Sequence, residues 1–168
     1  MSNLYIITGP AGVGKSTISR RIAESKNKSA LIEGDEIYHQ VVGGYVQAWK
    51  EGNHLDTFWK ICLSSIETYL EDGYDVIFNY IVNPESVELI KNKLKNHTIK
   101  FVVLVVDEKT LLLRDKERPE DCQMKERCIV LLNSFKNKNY NAQNILDTTN
   151  LSVNETIDII ENDNRFIL

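Results

Sequence analysis

The chain has 168 residues, 42% of them apolar and 26% charged, with a formal net charge of −4 at pH 7. A chain of this length supports one domain that buries roughly 70% of its unfolded surface, and its composition excludes a disordered tail, a collagen-like fibre and a low-complexity scaffold. The acidic balance argues against a duplex nucleic-acid partner, which takes a basic excess, while RNA stays open as a small substrate.

In chain order, short β-rich runs alternate with helical patterns. Met-Ser-Asn leads into the apolar run Leu4–Thr8, a strand that meets Gly9 at once. With no basic segment and no long apolar stretch there, no signal peptide is expected. Residues 16–24 read as the helix that follows. The run 30–33 is a second strand, stopped by Gly34. Leu55, Phe58, Trp59, Cys62, Ile66, Tyr69 and Leu70 recur at steps of three and four, which predicts a helix over about 54–71 with core-packed aromatics.

Residues 76–82 form a third strand, ended by Asn83-Pro84, and Pro84-Glu85 opens a helix. The fourth strand, 99–106, holds the longest apolar run of the chain. That run is far short of the roughly 18 residues that cross a bilayer, so no membrane partner is expected. Asp107 begins the next helix. Met124, Cys128, Leu131, Leu132 and Phe135 predict another over about 121–136. A fifth strand is read at 144–147, and Ser152–Glu155 is a capping-box pattern opening the last helix. The cysteines Cys62, Cys122 and Cys128 are odd in number and contain no CxxC pair, as in a cytoplasmic protein with reduced thiols. His39, His54 and His97 show no metal-ligand spacing.

The runs do not alternate polar with apolar residues, as expected of strands buried on both faces. The β-α alternation predicts a parallel, doubly wound sheet with helices on both faces. Ligands of such sheets sit beyond the carboxyl ends of the strands.

The first of those ends carries the strongest signal. Gly9, Pro10, Ala11, Gly12, Val13, Gly14, Lys15, Ser16 and Thr17 spell GxxxxGKS between a strand and a helix, the Walker A pattern. Its glycines let successive N–H groups point inward at phosphate oxygens, and the helix N-terminus adds partial positive charge. Lys15 supplies a cation to the β and γ phosphates, and the Ser16 hydroxyl is a ligand for Mg²⁺. The pattern indicates a nucleoside triphosphate without fixing the reaction. No NKxD motif supports guanine, and the third strand carries Asn79 where a Walker B aspartate is usual. A short chain with these features points to small-molecule phosphotransferases. Asp107 imitates a Walker B at the end of the fourth strand, but it reads better as a helix N-terminus.

In these motifs the chain resembles the P-loop kinase superfamily of nucleoside monophosphate, shikimate and gluconate kinases, including chloramphenicol phosphotransferase. The resemblance runs through Walker A, Gly34-Asp35, an Arg-containing lid over about 114–127 and Asp147-Thr148-Thr149. Gluconate-kinase-like proteins carry Gly-Asp-x-x-His after the second strand and a Gln-Met after the lid. This chain has Gly34-Asp35-Glu36-Ile37-Tyr38-His39, with the histidine one place late, and Gln123-Met124 opening a helix. The adenylate kinase Asp-Gly-x-Pro-Arg and the shikimate kinase triple glycine are absent.

The resemblance implies a three-layer P-loop fold with a five-stranded parallel sheet in the order 2-3-1-4-5, ATP and Mg²⁺ as cofactors, and a small-molecule acceptor. In similar kinases the aspartate at Asp35 orients the acceptor hydroxyl or holds a magnesium-bound water, and helix capping is the alternative reading. Arg114 and Arg118 lie four apart. They would share a helical face and close over ATP, one on adenine and one on the transferring phosphoryl group; a solvated charged helix is the alternative. Arg127 is a further candidate for phosphate. Thr148 matches the position that holds the adenine edge.

By position, the acceptor pocket lies in residues 36–60, with Tyr38, His39, Tyr45 and Trp49 free to line it. Asn79 would face an acceptor hydroxyl or a magnesium-bound water, or is simply a polar strand end. A monomer or homodimer is expected. Two rival readings remain: a nucleoside, nucleotide or RNA-end kinase, and an ATP-binding regulatory or toxin-like module.

Overall fold

The computed structural model describes residues 2–120 and 123–168. Five parallel strands form its sheet: β1 (Asn3–Thr8), β2 (Ser29–Glu33), β3 (Asp75–Asn79), β4 (Thr98–Val105) and β5 (Ile145–Asp147). Their order is β2-β3-β1-β4-β5, as expected. Seven helices occur among the described residues: α1 (Lys15–Ser25), α2 (Gly34–Tyr38), α3 (Leu55–Glu71), α4 (Pro84–Lys93), α5 (Glu108–Lys116), α6 (Glu126–Lys136) and α7 (Val153–Asn162).

Neighbouring strand residues point to opposite faces, so β1 feeds two cores. Leu4 and Ile6 pack with Phe58, Ile66, Phe78 and Ile90, under α3 and α4. Tyr5 and Ile7 pack with Ile18, Ile22, Leu132 and Ile160, under α1, α6 and α7. Both faces are covered, which is why the strands read as unbroken apolar runs. Cys62 and Cys128 are free and buried. Among the described residues no helix is long and apolar enough to cross a membrane.

Several boundaries differ from the sequence expectation, and three of the differences bear on the site. Strand β3 ends at Asn79 rather than Val82. Its neighbour β2 ends opposite, with Glu33 paired to Asn79, so Tyr80–Val82 have no strand to join on that side. Val82 N instead donates to Thr8 Oγ1 at 2.9 Å. Helix α5 stops at Lys116, so Arg118 does not share a helical face with Arg114. Arg118 precedes Pro119, and a residue before proline is pushed out of the helical region. Helix α6 begins at Glu126, beyond Gln123-Met124; its expected start at Asp121 and the cysteine Cys122 lie outside the described residues.

Candidate active site

The carboxyl end of β1 turns directly into the phosphate loop. Gly9 has φ 148°, and a Cβ there would lie 2.4 Å from the Leu104 carbonyl oxygen, so only glycine lets the loop leave β1 beside β4. Gly14 caps α1 in the left-handed region with φ 106°. Helix α1 starts at Lys15, one residue ahead of the expected boundary. Lys15 reaches back over the loop, and its Nζ donates to the carbonyls of Gly9 (3.0 Å) and Pro10 (3.1 Å). Desolvation lowers the Lys15 pKa from 10.5 to about 8; the Asp35 charge acts against that shift, and the Arg118 charge adds to it. Residues from the ends of β1 and β2 and from the segment after α5 therefore share one electrostatic site.

Asp35 sits in the first turn of α2, with its side chain exposed. The capping alternative fails, since Glu33 is the N-cap residue and no side chain caps α2. Gly34 has a separate reason to be glycine. A Cβ there would come within 2.5 Å of the Tyr80 ring, which packs under the start of α2.

The metal side of the site holds an acid that the sequence reading did not single out. Asn79 Nδ2 donates to Ser16 Oγ at 3.0 Å and also to Glu33 Oε2. Burial raises the Glu33 pKa, against the lowering effect of the Asn79 hydrogen bond. Glu33 looked like an ordinary strand end; the signal available was a carboxylate closing a strand beside the phosphate loop. Asn79 Oδ1 is buried without a hydrogen-bond partner. A hydroxyl, an amide oxygen and nearby carboxylates form a hard oxygen donor set, which fits Mg²⁺, and the curled glycine loop with its lysine fits a phosphate chain.

Arg114 joins the loop to the far edge of the sheet. Its Nη1 donates to Val13 O (2.9 Å) and Thr148 Oγ1 (3.3 Å), and its Nη2 to Thr148 O (3.1 Å). Thr148 is buried and donates its N–H to Val105 O at 2.9 Å. Arg118 pairs with Asp115 at 3.3 Å. Asp115, 2% exposed, also accepts from Met124 N (2.9 Å) and Lys125 N (2.7 Å). Burial pushes its pKa up, but the N–H groups of Met124 and Lys125 outweigh this and hold it below the usual value. Asp115 thus ties α5 to the entry of α6, another role hidden in a charge-rich run. Asp107 caps α5, its Oδ1 accepting from Thr110 N at 2.6 Å.

On the acceptor side, Tyr38 is not free to line a pocket. It is 3% exposed, donates its hydroxyl to Val46 O at 2.7 Å, and stacks on His54 with ring centroids 4.1 Å apart. The cause is its place at the end of α2, facing α3 and Phe58. His39 and Tyr45 remain exposed, with centroids 5.7 Å apart. Trp49 is 70% exposed, and the Arg127 guanidinium lies 5.2 Å from its ring centroid. Arg127 thereby links α6 to the segment between α2 and α3. Trp59 packs against Phe58 and Tyr80, as its helical spacing predicts. Beside the phosphate loop, Ser16, Thr17, Arg20, Arg21 and Glu24 line an open cavity of about 470 Å³.

A family model described as AAA domain matches residues 6–141. No curated protein matches the chain. Among solved structures, the Deinococcus radiodurans tunicamycin resistance protein superposes with a TM-score of 0.70 at 18% identity, covering 95% of this chain and 94% of that one. A gluconokinase from Sinorhizobium meliloti 1021 gives a TM-score of 0.65 at 18% identity, with 94% and 89% covered. A chain of the Pnkp1/Rnl/Hen1 RNA repair complex gives 0.61 at 19% identity, with 80% of this chain and 45% of that one covered. At these identities the likeness is one of fold, shared with the tunicamycin resistance protein and the gluconokinase over nearly the whole chain.

Proposed function

The chain belongs to the AAA domain family, and on that premise we propose that it is an ATP-dependent phosphotransferase, moving the γ-phosphoryl group to a hydroxyl of a small molecule. The observation that carries this reading is the placement of Lys15 in the loop after β1 and of Asp35 in the first turn after β2, with the Asp35 charge acting on Lys15. A cation that draws in the phosphate chain and a carboxylate that receives a hydroxyl are the two ends of a phosphoryl transfer. The gluconokinase and the tunicamycin resistance protein share this fold, which suits a sugar acid, polyol or antibiotic-like acceptor.

In this reading the loop residues 9–17 hold the phosphate oxygens with backbone N–H groups, and Lys15 turns from the Gly9 and Pro10 carbonyls toward the β and γ phosphates. Ser16 would hold Mg²⁺, with Asp35 reaching a bound water, and the ion would supply neutralisation of the phosphate charge. Asp35 accepts the acceptor's O–H, aligning that oxygen for in-line attack and taking its proton as the new P–O bond forms and the bond from the γ-phosphorus to the β–γ bridging oxygen breaks, with ADP as the leaving group. Arg118, whose charge already acts on Lys15, faces the transferring group. Arg114 and Thr148 border the nucleotide at the β5 side. Asn79, bonded to Ser16 and Glu33, would face a magnesium-bound water, and His39 and Tyr45 flank the acceptor side, where Arg127 holds Trp49. Closure of this segment excludes water, which would otherwise hydrolyse ATP.

A second reading has a specific observation behind it. Arg20 and Arg21 line the open cavity beside Ser16, Arg21 paired with Glu24 at 3.8 Å, and cations there would suit an acceptor that carries its own phosphate. That favours a nucleotide or RNA end, as does the fold shared with the RNA repair complex. An acceptor screen with γ-labelled ATP decides. Label transferred to a sugar acid, polyol or antibiotic supports the first reading, and label on a 5′-hydroxyl oligonucleotide or nucleotide supports the second. ATP binding with no labelled product would leave an ATP-binding regulatory module.

A further inference from the structure

Strand β3 closes on an amide where a phosphate-loop site usually has a carboxylate, and the nearest carboxylate comes from the neighbouring strand. Register sets Glu33 directly beside Asn79 at the ends of β2 and β3. One side-chain amide then joins two groups: Asn79 Nδ2 donates to Glu33 Oε2 and to Ser16 Oγ, the latter at 3.0 Å. With both amide hydrogens engaged, Ser16 keeps a lone pair for a cation. Asn79 is only 5% exposed, and its Oδ1 has no hydrogen-bond partner. Leaving a buried amide oxygen in that state is unfavourable, so the site is built to receive a donor that the protein itself does not provide. A cation-bound water is such a donor.

We propose that Glu33 takes the place of the missing strand-three aspartate, accepting hydrogen bonds from the waters of the nucleotide's Mg²⁺, while Asn79 locks Glu33 to Ser16 and offers Oδ1 as a second acceptor. The inference rests on the nucleotide reading of the phosphate loop. Glu33 is a positioning residue here: it acts through water and Asn79, not on the phosphoryl group. Its negative charge is the needed property, because an amide alone at the end of β3 cannot offset a divalent cation. Supporting partners of this kind typically alter metal affinity by about 10- to 100-fold when removed.

The test is E33Q, which keeps an oxygen to accept from Asn79 and removes only the charge. ATP binding is followed by calorimetry at increasing Mg²⁺, with thermal melts recorded alongside. In the wild type, Mg²⁺ tightens ATP binding. In E33Q, the Mg²⁺ needed for half of that gain rises about 10- to 100-fold, while ATP binding without metal is unchanged or tighter. The double variant E33Q/N79D, which returns a carboxylate to β3 beside Ser16, recovers most of the loss. A wild-type Mg²⁺ curve for E33Q overturns the proposal, as does an equal weakening with and without metal or a loss that N79D does not recover. A wild type that binds no ATP would remove the nucleotide reading and this inference with it. A wild type that binds Mg·ATP but phosphorylates no acceptor would remove only the transfer reading, and the E33Q curve would still decide for Glu33.

Discussion

The phosphate-loop end of this site, where we place the nucleotide, and the 39–54 end, where we place the acceptor, are built by different means. At the nucleotide end, the backbone does the positioning. Gly9 has no room for a side chain against Leu104, Gly14 caps α1 in the left-handed region, and Lys15 is tied to two carbonyls of its own loop. At the acceptor end, the path from His39 to His54 is a long irregular stretch held by side chains: Tyr38 to Val46, Tyr38 on His54, Trp49 under Arg127. It exposes Val42 at 89% and Trp49 at 70%. In the proposed function, the shared transfer chemistry has a fixed frame and recognition of the acceptor falls to a surface loop, where binding residues commonly lie.

Changes at the fixed end should therefore abolish function, and changes at the acceptor end should retune it. The largest expected effect is that of Lys15→Ala. With the phosphate-loop cation gone, turnover should fall by on the order of 10³-fold or more, with an unchanged circular dichroism spectrum. Asp35→Asn should lower kcat by roughly 10²- to 10⁴-fold with little change in ATP affinity; unchanged turnover would remove Asp35 from the mechanism. Raising the pH gives a graded version of the lysine change. Desolvation brings Lys15 to about 8, so it loses its charge as pH climbs through that value. ATP affinity should then weaken above pH 8, and binding measured in buffers of different ionisation heat should show proton uptake by the protein. No uptake would mean Lys15 is already charged at that pH.

Smaller effects test the acceptor side and its tether. Asp115→Ala leaves the N–H groups of Met124 and Lys125 without their acceptor and Arg118 without its partner. A loss of about 1–3 kcal/mol is expected, visible as a lowered Tm. Arg127→Ala removes the contact with Trp49, worth about 0.5–1 kcal/mol at an exposed position. Its signature should be a raised KM for the acceptor with the KM for ATP unchanged. A shift in the ATP value instead would place Arg127 on the nucleotide.

The same contrast explains what could be read from the sequence. The phosphate loop and the parallel sheet were legible because GPAGVGKST and the buried apolar runs act through local backbone rules, whereas the order of the strands followed only from the resemblance to P-loop kinases. The end of β3 was not, since it is set by where β2 stops, a neighbour 46 residues away in sequence (79 minus 33). The same distance hid Glu33, whose meaning comes only from its contact with Asn79 and Ser16. Arg118 left the expected helical face because of Pro119, a local signal that was present in the sequence. Tyr38 looked free because the spacing of α2 alone does not reveal that His54 and Val46 return to cover it.

Titration of the wild-type chain with Mg·ATP in a calorimeter tests the central claim most directly. The account predicts saturable, one-site binding that Lys15→Ala removes while the fold survives. The absence of heat and saturation up to millimolar nucleotide would contradict it.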